Sequence, residues 1–176
     1  MNPRIVELLA HLDSQRAVLR SAFEGVPAAM RDKPPAPGRW SPAGIVEHLA
    51  IVEQRVAGAL AAKIAAARSE GIGPDPSTDP VLPTLELSRI LNRSIQVSAP
   101  EMSHPTGLTP DAAWAALERS GAIVRETLRA ADGVALGSIE HPHPVLGSLS
   151  LYHWFAIIGS HEARHAAQIR EISAAA

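Results

Sequence analysis

Hydrophobic residues recur every three or four positions in four long segments of the chain, the period of a helix with one buried face. The first segment begins at Pro3, where Asn2 can cap a helix and proline suits the first turn. Its apolar positions are Ile5, Leu8, Leu9, Leu12, Leu19 and Phe23. The pattern breaks off at Gly25-Val26-Pro27, so it predicts a first helix from Pro3 to about Glu24.

A second helix is predicted from Pro42 to about Ser69, after a proline-rich connection over residues 33–40. Ser41 precedes the proline and can cap this helix. By the same spacing, its inward face should comprise Ile45, His48, Leu49, Val52, Val56 and Ala59. The pattern therefore places His48 inside an apolar row.

Two further helices are predicted in the C-terminal half. Thr109 and Pro110 repeat the cap-and-proline signal, and the third helix should continue to about Ala131. The fourth should run from Leu149 to about Ser173, with Ser148 as its cap. Its inward face should comprise Leu151, Trp154, Ile158, His161, His165 and Gln168.

The connections between these helices are long. Residues 71–83 hold several Pro and Gly, residues 84–94 could form a short helix, and residues 134–147 read as a loop. Alternating runs are short and Ala is common, so strands are only weakly indicated. The sequence thus predicts an all-α four-helix bundle, a single domain over residues 1–176, with long connecting loops of which at least one crosses the bundle.

Composition narrows the functional classes. Acidic and basic residues nearly balance, at 18 against 16, so a nucleic-acid partner is not indicated. The chain has no Cys, which excludes disulfides, thiolate metal ligands and cysteine nucleophiles.

The first residues lack a signal-peptide pattern, and we therefore expect a cytoplasmic protein. No membrane span is expected, because the most apolar long segment, residues 45–68, carries Glu47, Glu53, Arg55 and Lys63.

His161 and His165 are four residues apart on the last predicted helix, so both rings lie on one face within reach of one ion. With Glu162 they match the HExxH pattern of zinc peptidases, in which the Glu activates a metal-bound water. Those enzymes take a third ligand from well downstream, or from six residues past the second His after a Gly. Here Gln168 stands at the Gly position, and Glu171 lies about 15 Å from His161 along a continuing helix. A third ligand must therefore come from an earlier helix.

His48 is the candidate for that ligand, because bundle cores assemble metal sites from side chains on facing helices. A lone His in an apolar row is more often a hydrogen-bonded core residue. The buried pair His161 and His165 favours the ligand role, because each buried polar group without a partner costs about 1–3 kcal/mol and a shared cation would be a partner for both rings. Three histidines leave a coordination position open, as catalytic zinc sites do. Ligand type leaves zinc, nickel and iron as candidate divalent ions.

The remaining candidates fit a metal site less well. His11 is expected on or near the surface of the first helix, and His153 is rotated off the face of the His pair. Glu162 is expected to be a solvated carboxylate, or one that supports a ligand, rather than a base. Trp40 and residues 71–83 and 95–107 are expected to wall the pocket. The sequence identifies no catalytic acid or base.

Four segments of the chain resemble the DinB-like superfamily, in the same order. They are Trp40-Ser41-Pro42, Glu47-His48-Leu49, the stretch HPVLGSLS over residues 143–150, and HEARHAAQI over residues 161–169. Members of that superfamily are four-helix bundles that commonly bind a divalent metal through one His on the second helix and a His-x-x-x-His pair on the fourth. By position, the resemblance assigns the metal ligands to His48, His161 and His165.

The resemblance also implies classes of activity. Characterised relatives include transferases and isomerases that depend on low-molecular-weight thiols such as bacillithiol and mycothiol, and homodimers are frequent among them. It therefore implies a metal-dependent enzyme with a small-molecule substrate, first of all a thiol-dependent S-transferase. Two alternatives stay open: a metal-dependent hydrolase in which Glu162 or another carboxylate assists water, and a non-catalytic ligand-binding bundle.

Overall fold

The computed structural model describes residues 1–86, 88–95 and 98–174. Within these ranges the four long helices agree with the predicted bounds to within two residues. They are α1 (Pro3–Glu24), α2 (Pro42–Ser69), α4 (Pro110–Ala130) and α5 (Leu151–Ala174), with a short helix α3 (Ser88–Leu91) between α2 and α4. None of the described helices is both long and apolar enough to cross a membrane.

The short helix predicted over residues 84–94 is largely replaced by irregular chain. Only α3 and a single 3-10 turn at Leu82–Thr84 are helical there. Residue 87 of this range, and residues 96 and 97 of the predicted pocket wall, lie outside the described residues.

Side-chain caps explain why three of the helices begin where the sequence indicated. The capping side chains accept backbone N–H groups of the first turn, and they belong to Asn2, Ser41 and Thr109. The cap predicted for the last helix was wrong. The hydroxyl of Ser150, rather than Ser148, accepts the backbone N–H of His153 at 3.3 Å.

A short antiparallel hairpin precedes α5, where the sequence predicted only a loop. Strand β1 (Glu140–His143) pairs with β2 (Gly147–Ser150), and Gly147 adopts a φ of 80°, which favours glycine. The indole N–H of Trp154 on α5 donates to the carbonyl oxygen of His141 at 2.9 Å. Strands of only four residues give a weak alternating pattern in the sequence, and this hairpin is also held by its contact with α5.

Helices α2 and α4 run parallel, and so do α1 and α5. Arg68 in the last turn of α2 donates to the carbonyl oxygen of Ala130, the last residue of α4. Hydrogen bonds between α1 and α5 advance in the same direction along both helices. Residues 70–109 therefore connect the end of one helix to the start of its parallel neighbour. This connection crosses the bundle, as predicted for at least one of them.

A layer of buried polar side chains lies between two apolar clusters of the core. The first cluster includes Leu12 and the second includes Leu19, one on each side of Arg16 along α1. The polar layer contains one residue from each long helix: Arg16, Glu53, Ser120 and Glu162. All four helices thus contribute a polar group at about the same level of the bundle.

The buried face of α2 departs from the predicted one beyond its second turn. Ile45, His48 and Leu49 are buried as predicted, whereas Val52, Val56 and Ala59 are only partly buried. The inner positions are taken by Glu53, Ala57, Leu60 and Ile64. The prediction failed because Glu53, a charged residue, occupies an inner position at which the hydrophobic pattern requires an apolar one. On α5 the predicted inward residues are buried except for His161 and Gln168, which are partly exposed.

Candidate metal centre

His48, His161 and His165 converge at one end of the bundle. The ring centroid of His48 lies 5.4 Å from that of His161 and 5.2 Å from that of His165, and the last two are 4.5 Å apart. One ligand nitrogen of each ring lies within 4.8 Å of the other two. Three potential ligand atoms from two helices therefore face a common point.

The His48 ring is oriented by a backbone carbonyl of the crossover connection. Its Nδ1 lies 2.8 Å from the carbonyl oxygen of Ser103. Because a carbonyl can only accept, the ring proton must be on Nδ1, and Nε2 keeps a free lone pair. Metal-binding histidines commonly have this arrangement, with one nitrogen donating to a carbonyl and the other facing the ion. Trp40 packs against the same ring, with centroids 4.8 Å apart.

The His165 ring is oriented in the same way by a side chain on its own helix. Its Nδ1 donates to Oε1 of Gln168 at 2.8 Å. Its Nε2 then has a free lone pair and lies 3.0 Å from Nε2 of His161. Two imidazole nitrogens this close either share one proton or bind one cation.

Burial keeps the three imidazoles uncharged. It lowers the pKa of His48, lowers the pKa of His161 well below its usual value, and lowers the pKa of His165 to about 3. Repulsion between the neighbouring rings acts in the same direction on His161 and His165. Neutral imidazole is the form that binds a metal, so the folded protein presents all three rings ready to act as ligands.

The donor set fits a divalent cation of the zinc, nickel and iron group. In a tetrahedral site, two imidazole nitrogens at about 2.0–2.1 Å from zinc lie about 3.3 Å apart. The Nε2 atoms of His161 and His165 are close to that separation, at 3.0 Å. Magnesium and calcium prefer oxygen ligands, which this set lacks. Three protein ligands would leave room for a small molecule.

The buried carboxylate of Glu47 fixes the loop that carries Ser103. It accepts the backbone N–H groups of residues 106, 107 and 108 and the hydroxyl of Thr106, at distances of 2.7–3.1 Å. Burial alone would raise the pKa of Glu47, but these hydrogen bonds outweigh it and lower the pKa. The residue next to His48 in sequence thus fixes the loop that orients the His48 ring.

The family model of the DinB superfamily matches residues 11–169, a range that includes all three histidines. The chain belongs to the DinB superfamily. It is similar in structure to the crystal structure of TT2238, a four-helix bundle protein, with a TM-score of 0.64 and 20% identity over 95% of this chain and 98% of that one. At that identity the likeness shows the four-helix bundle fold alone. No curated protein matches the chain.

Glu162 in this DinB-superfamily protein is buried, which contradicts the expectation of a solvated carboxylate. It is 1% exposed and accepts from Nε and Nη2 of Arg16 at 3.0 and 3.1 Å. Nη2 of Arg16 also donates to both oxygens of Glu53, at 2.9 and 3.0 Å. Burial disfavours the charge of Arg16, but the two carboxylates outweigh it and raise the pKa of Arg16. Burial, aided by the charge of Glu162, raises the pKa of Glu53 to about 8.

Sequence reasoning missed this buried ion cluster, although a signal was present. Arg16 occupies the position between Leu12 and Leu19 that the helical spacing reserves for an apolar residue. A charged residue on an inward face needs a buried partner of opposite charge. Glu53 and Glu162 are the acidic residues that provide it, from helices far away in sequence.

Residues 71–83 do not wall the histidine site, contrary to expectation. They lie at the opposite end of the bundle, where Arg4 in the first turn of α1 binds Asp75 at 3.1 Å and the hydroxyl of Ser77. The reason is the crossover, which begins at that end and reaches the histidine site later in its course, where Ser103 contacts His48. Trp40 and the described part of residues 95–107 do lie at the site.

Two arginines lie near the histidine site, one paired with a carboxylate and one held by carbonyl groups. Arg93 donates to both carboxylate oxygens of Glu171, at 3.2 and 3.0 Å. Burial is the main cause of the low pKa of His165, repulsion from a charge on His48 would add to it, and the charges of Arg93 and Arg164 contribute less. Glu171 binds Arg93 and is not part of the histidine cluster, as its helical distance predicted. The side chain of Arg164 donates to three carbonyl oxygens around α3, those of Ile90, Asn92 and Ile95.

Two other histidines lie away from the cluster. His11 is partly buried between α1 and α5, where its Nε2 donates to the carbonyl oxygen of Ala156 at 3.0 Å. His11 thus lies near the surface of α1, as expected, and also contacts α5. His153 lies off the face of the histidine pair, as expected, and its Nε2 is 3.1 Å from the hydroxyl of Thr84.

Proposed function

We propose that this protein is a metal-dependent enzyme that transfers a small thiol to an electrophilic small molecule. His48, His161 and His165 hold a divalent ion, which is zinc, nickel or iron. The observation that carries the proposal is the convergence of three uncharged imidazoles, two of which have their Nδ1 protons bound to Ser103 and Gln168. This arrangement supports a site with one position left for a ligand.

The ion would supply Lewis acidity, which favours the thiolate form of a thiol near neutral pH. The residues of the chain have separate tasks in this scheme. Ser103 and Gln168 hold two of the rings in the ligand orientation, and Trp40 covers the His48 ring. Arg164, whose partners are uncharged carbonyl groups, brings a positive charge near the site that favours an anionic thiol or electrophile.

The position of Glu162 favours thiol transfer over the hydrolase alternative. In that alternative, Glu162 assists an attacking water as general base. Its two oxygens instead accept from Arg16 on α1, about 100° around the helix axis from His161, and its side chain is almost fully buried. A carboxylate held in this way is poorly placed to take a proton from water. A soluble thiol ionises without such a base when a cation stabilises its thiolate.

Metal analysis of protein purified without a His tag tests the site. We expect about one divalent ion per chain in the wild type and loss of that ion in His161→Ala. His153→Ala is the matched control, because that ring lies on the same helix but off the cluster. Full metal content in His161→Ala would reject the three-histidine site.

Assays with reactive electrophiles test the reaction. Wild-type protein should consume the electrophile only when a low-molecular-weight thiol such as bacillithiol or mycothiol is present, and His161→Ala should not. Turnover of esters or amides without thiol would instead support the hydrolase. A metal-loaded protein inactive in both assays would support the non-catalytic bundle. A homodimer and a cytoplasmic location remain predictions, and size-exclusion chromatography with light scattering tests the first.

A further inference from the structure

The turn of the β1–β2 hairpin fixes the ring proton of His143 on one nitrogen. Nδ1 of His143 accepts the backbone N–H groups of Val145 at 3.1 Å and Leu146 at 3.2 Å. A nitrogen that accepts two hydrogen bonds carries no proton, so the neutral ring has its hydrogen on Nε2. Among the described residues, no acceptor is hydrogen-bonded to this Nε2–H. The hairpin therefore holds a donor for which the described part of the chain provides no acceptor.

The His143 ring lies on the same face of α5 as the metal-binding pair. It packs against Trp154, with ring centroids 4.8 Å apart. Trp154 stands two turns before His161, about 10 Å along the helix axis. His143 also lies close enough to His161 for a charge on its ring to be felt there. The donor and the histidine cluster thus share one side of the bundle.

The indole of Trp154 is itself held in place, so the distance between hairpin and helix is fixed. Its N–H donates to the carbonyl oxygen of His141 in β1, and its side chain is 7% exposed. The same ring therefore contacts two residues of β1, His141 and His143. A side chain fixed by a turn, a strand and a packed indole loses little conformational entropy when it binds a ligand.

We propose that His143 donates a hydrogen bond from Nε2–H to the small molecule that occupies the open position of the histidine site. The favoured ligand has a negatively charged donor atom, because hydrogen bonds to charged acceptors are about twice as strong as neutral ones. The inference rests on the proposed metal site but not on thiol chemistry. A thiolate and a small inorganic anion present the same kind of acceptor.

Azide binding to the cobalt(II)-substituted protein tests this role, with visible absorption as the readout. His143→Leu removes the donor, and His143→Gln restores an N–H at about the same distance from the backbone. We expect equal cobalt content in all proteins. We expect azide affinity to fall roughly ten- to a hundredfold in His143→Leu, and to recover largely in His143→Gln. His153→Leu, on the same helix but off the cluster, should bind azide like the wild type.

Two results would overturn the proposal. One is unchanged azide affinity in a His143→Leu variant with full cobalt content. The other is equal loss of cobalt from the Leu and Gln variants, which would mean that the hairpin acts on the metal site itself. The two proposals can fail independently. If the protein has no thiol-dependent turnover, the proposed function is wrong, but the effect of His143 on azide affinity is still expected. A wild-type protein that binds no cobalt would remove both proposals.

Discussion

Arg16 on α1 and Glu162 on α5 form a buried two-point ion pair, with N···O distances of 3.0 and 3.1 Å. Glu162 directly follows His161 in sequence, so its side chain points about 100° away from His161 around the helix axis. The pair therefore anchors α5 to α1 one residue away from the proposed metal ligand. Arg16 also donates to the carbonyl oxygen of Leu117 at 2.9 Å, so α4 is part of the same network.

Arg16→Met should destabilise the fold strongly. Removing one partner of a buried ion pair leaves uncompensated charge, which typically costs about 3–5 kcal/mol in the free energy of unfolding. Urea denaturation followed by circular dichroism measures this loss. Arg55→Met, on an exposed part of α2, is the control and should change stability by about 0.5 kcal/mol or less. Similar stabilities of the two variants would show that the cluster contributes little.

Gly121→Ala should destabilise the protein although alanine is the better helix former. A Cβ at residue 121 would lie 2.6 and 2.7 Å from the two terminal nitrogens of Arg16, whose partners prevent it from moving aside. At Gly58, also within a helix, no atom lies within 4 Å of such a Cβ. Gly58→Ala should therefore stabilise by up to about 1 kcal/mol. Thermal unfolding compares the pair, and a gain in both variants would contradict the close approach at residue 121.

Glu53→Gln should change the pH dependence of stability. The pKa of Glu53 is about 8 in the folded protein, against a usual value of 4.5. Between these values the folded state binds a proton that the unfolded state releases, so the contribution of Glu53 to wild-type stability falls as pH rises from about 5 to 8. The amide does not titrate, so the stability of the variant relative to wild type should rise with pH, by at most about 1.4 kcal/mol per pH unit.

The comparison isolates Glu53 because the buried histidines are present in both proteins. Their lowered pKa values give the opposite slope, a stability that rises with pH up to about 6.5, and this slope cancels in the difference. Urea midpoints measured at several pH values supply the two curves. Curves that run parallel would mean that Glu53 is ionised in the folded protein.

Glu47→Gln should weaken metal binding without removing a ligand. One amide oxygen cannot replace the two carboxylate oxygens that accept from residues 106–108, so the loop that positions Ser103 should loosen. Loss of a group that orients a histidine ligand typically costs ten- to a hundredfold in metal affinity, roughly. Competition with a chelator measures the affinity. Glu101→Gln, on an exposed part of the same loop, is the control and should bind metal like the wild type.

The helix bounds could be predicted from the sequence because their signals are local. Asn2, Ser41 and Thr109 each precede a proline, and each caps the helix that follows. The hairpin could not be predicted, since its strands depend on contact with Trp154 thirteen residues from His141. The convergence of the three histidines followed from their places on inward helix faces. Their role as ligands stays a proposal.

The environment of Glu162 could not be predicted from its neighbours in sequence. Its partner Arg16 is separated from it by 146 positions, and hydrophobic periodicity does not indicate which charged residues pair across a core. The pocket walls were assigned wrongly for a similar reason. Which end of the bundle a loop covers depends on the direction of the helices that it joins, and α2 and α4 proved to be parallel.

The polar layer also has a consequence for the alignment of the helices. A shift of one helix by one turn along its axis would move Arg16 or one of its carboxylates into an apolar cluster rich in Leu and Ile. The free-energy cost of that burial is far above the cost of a lost apolar contact. Competing arrangements of the bundle are therefore penalised. The positions of His48 along α2 and of His161 and His165 along α5 are therefore set in part by charged groups that are not themselves metal ligands.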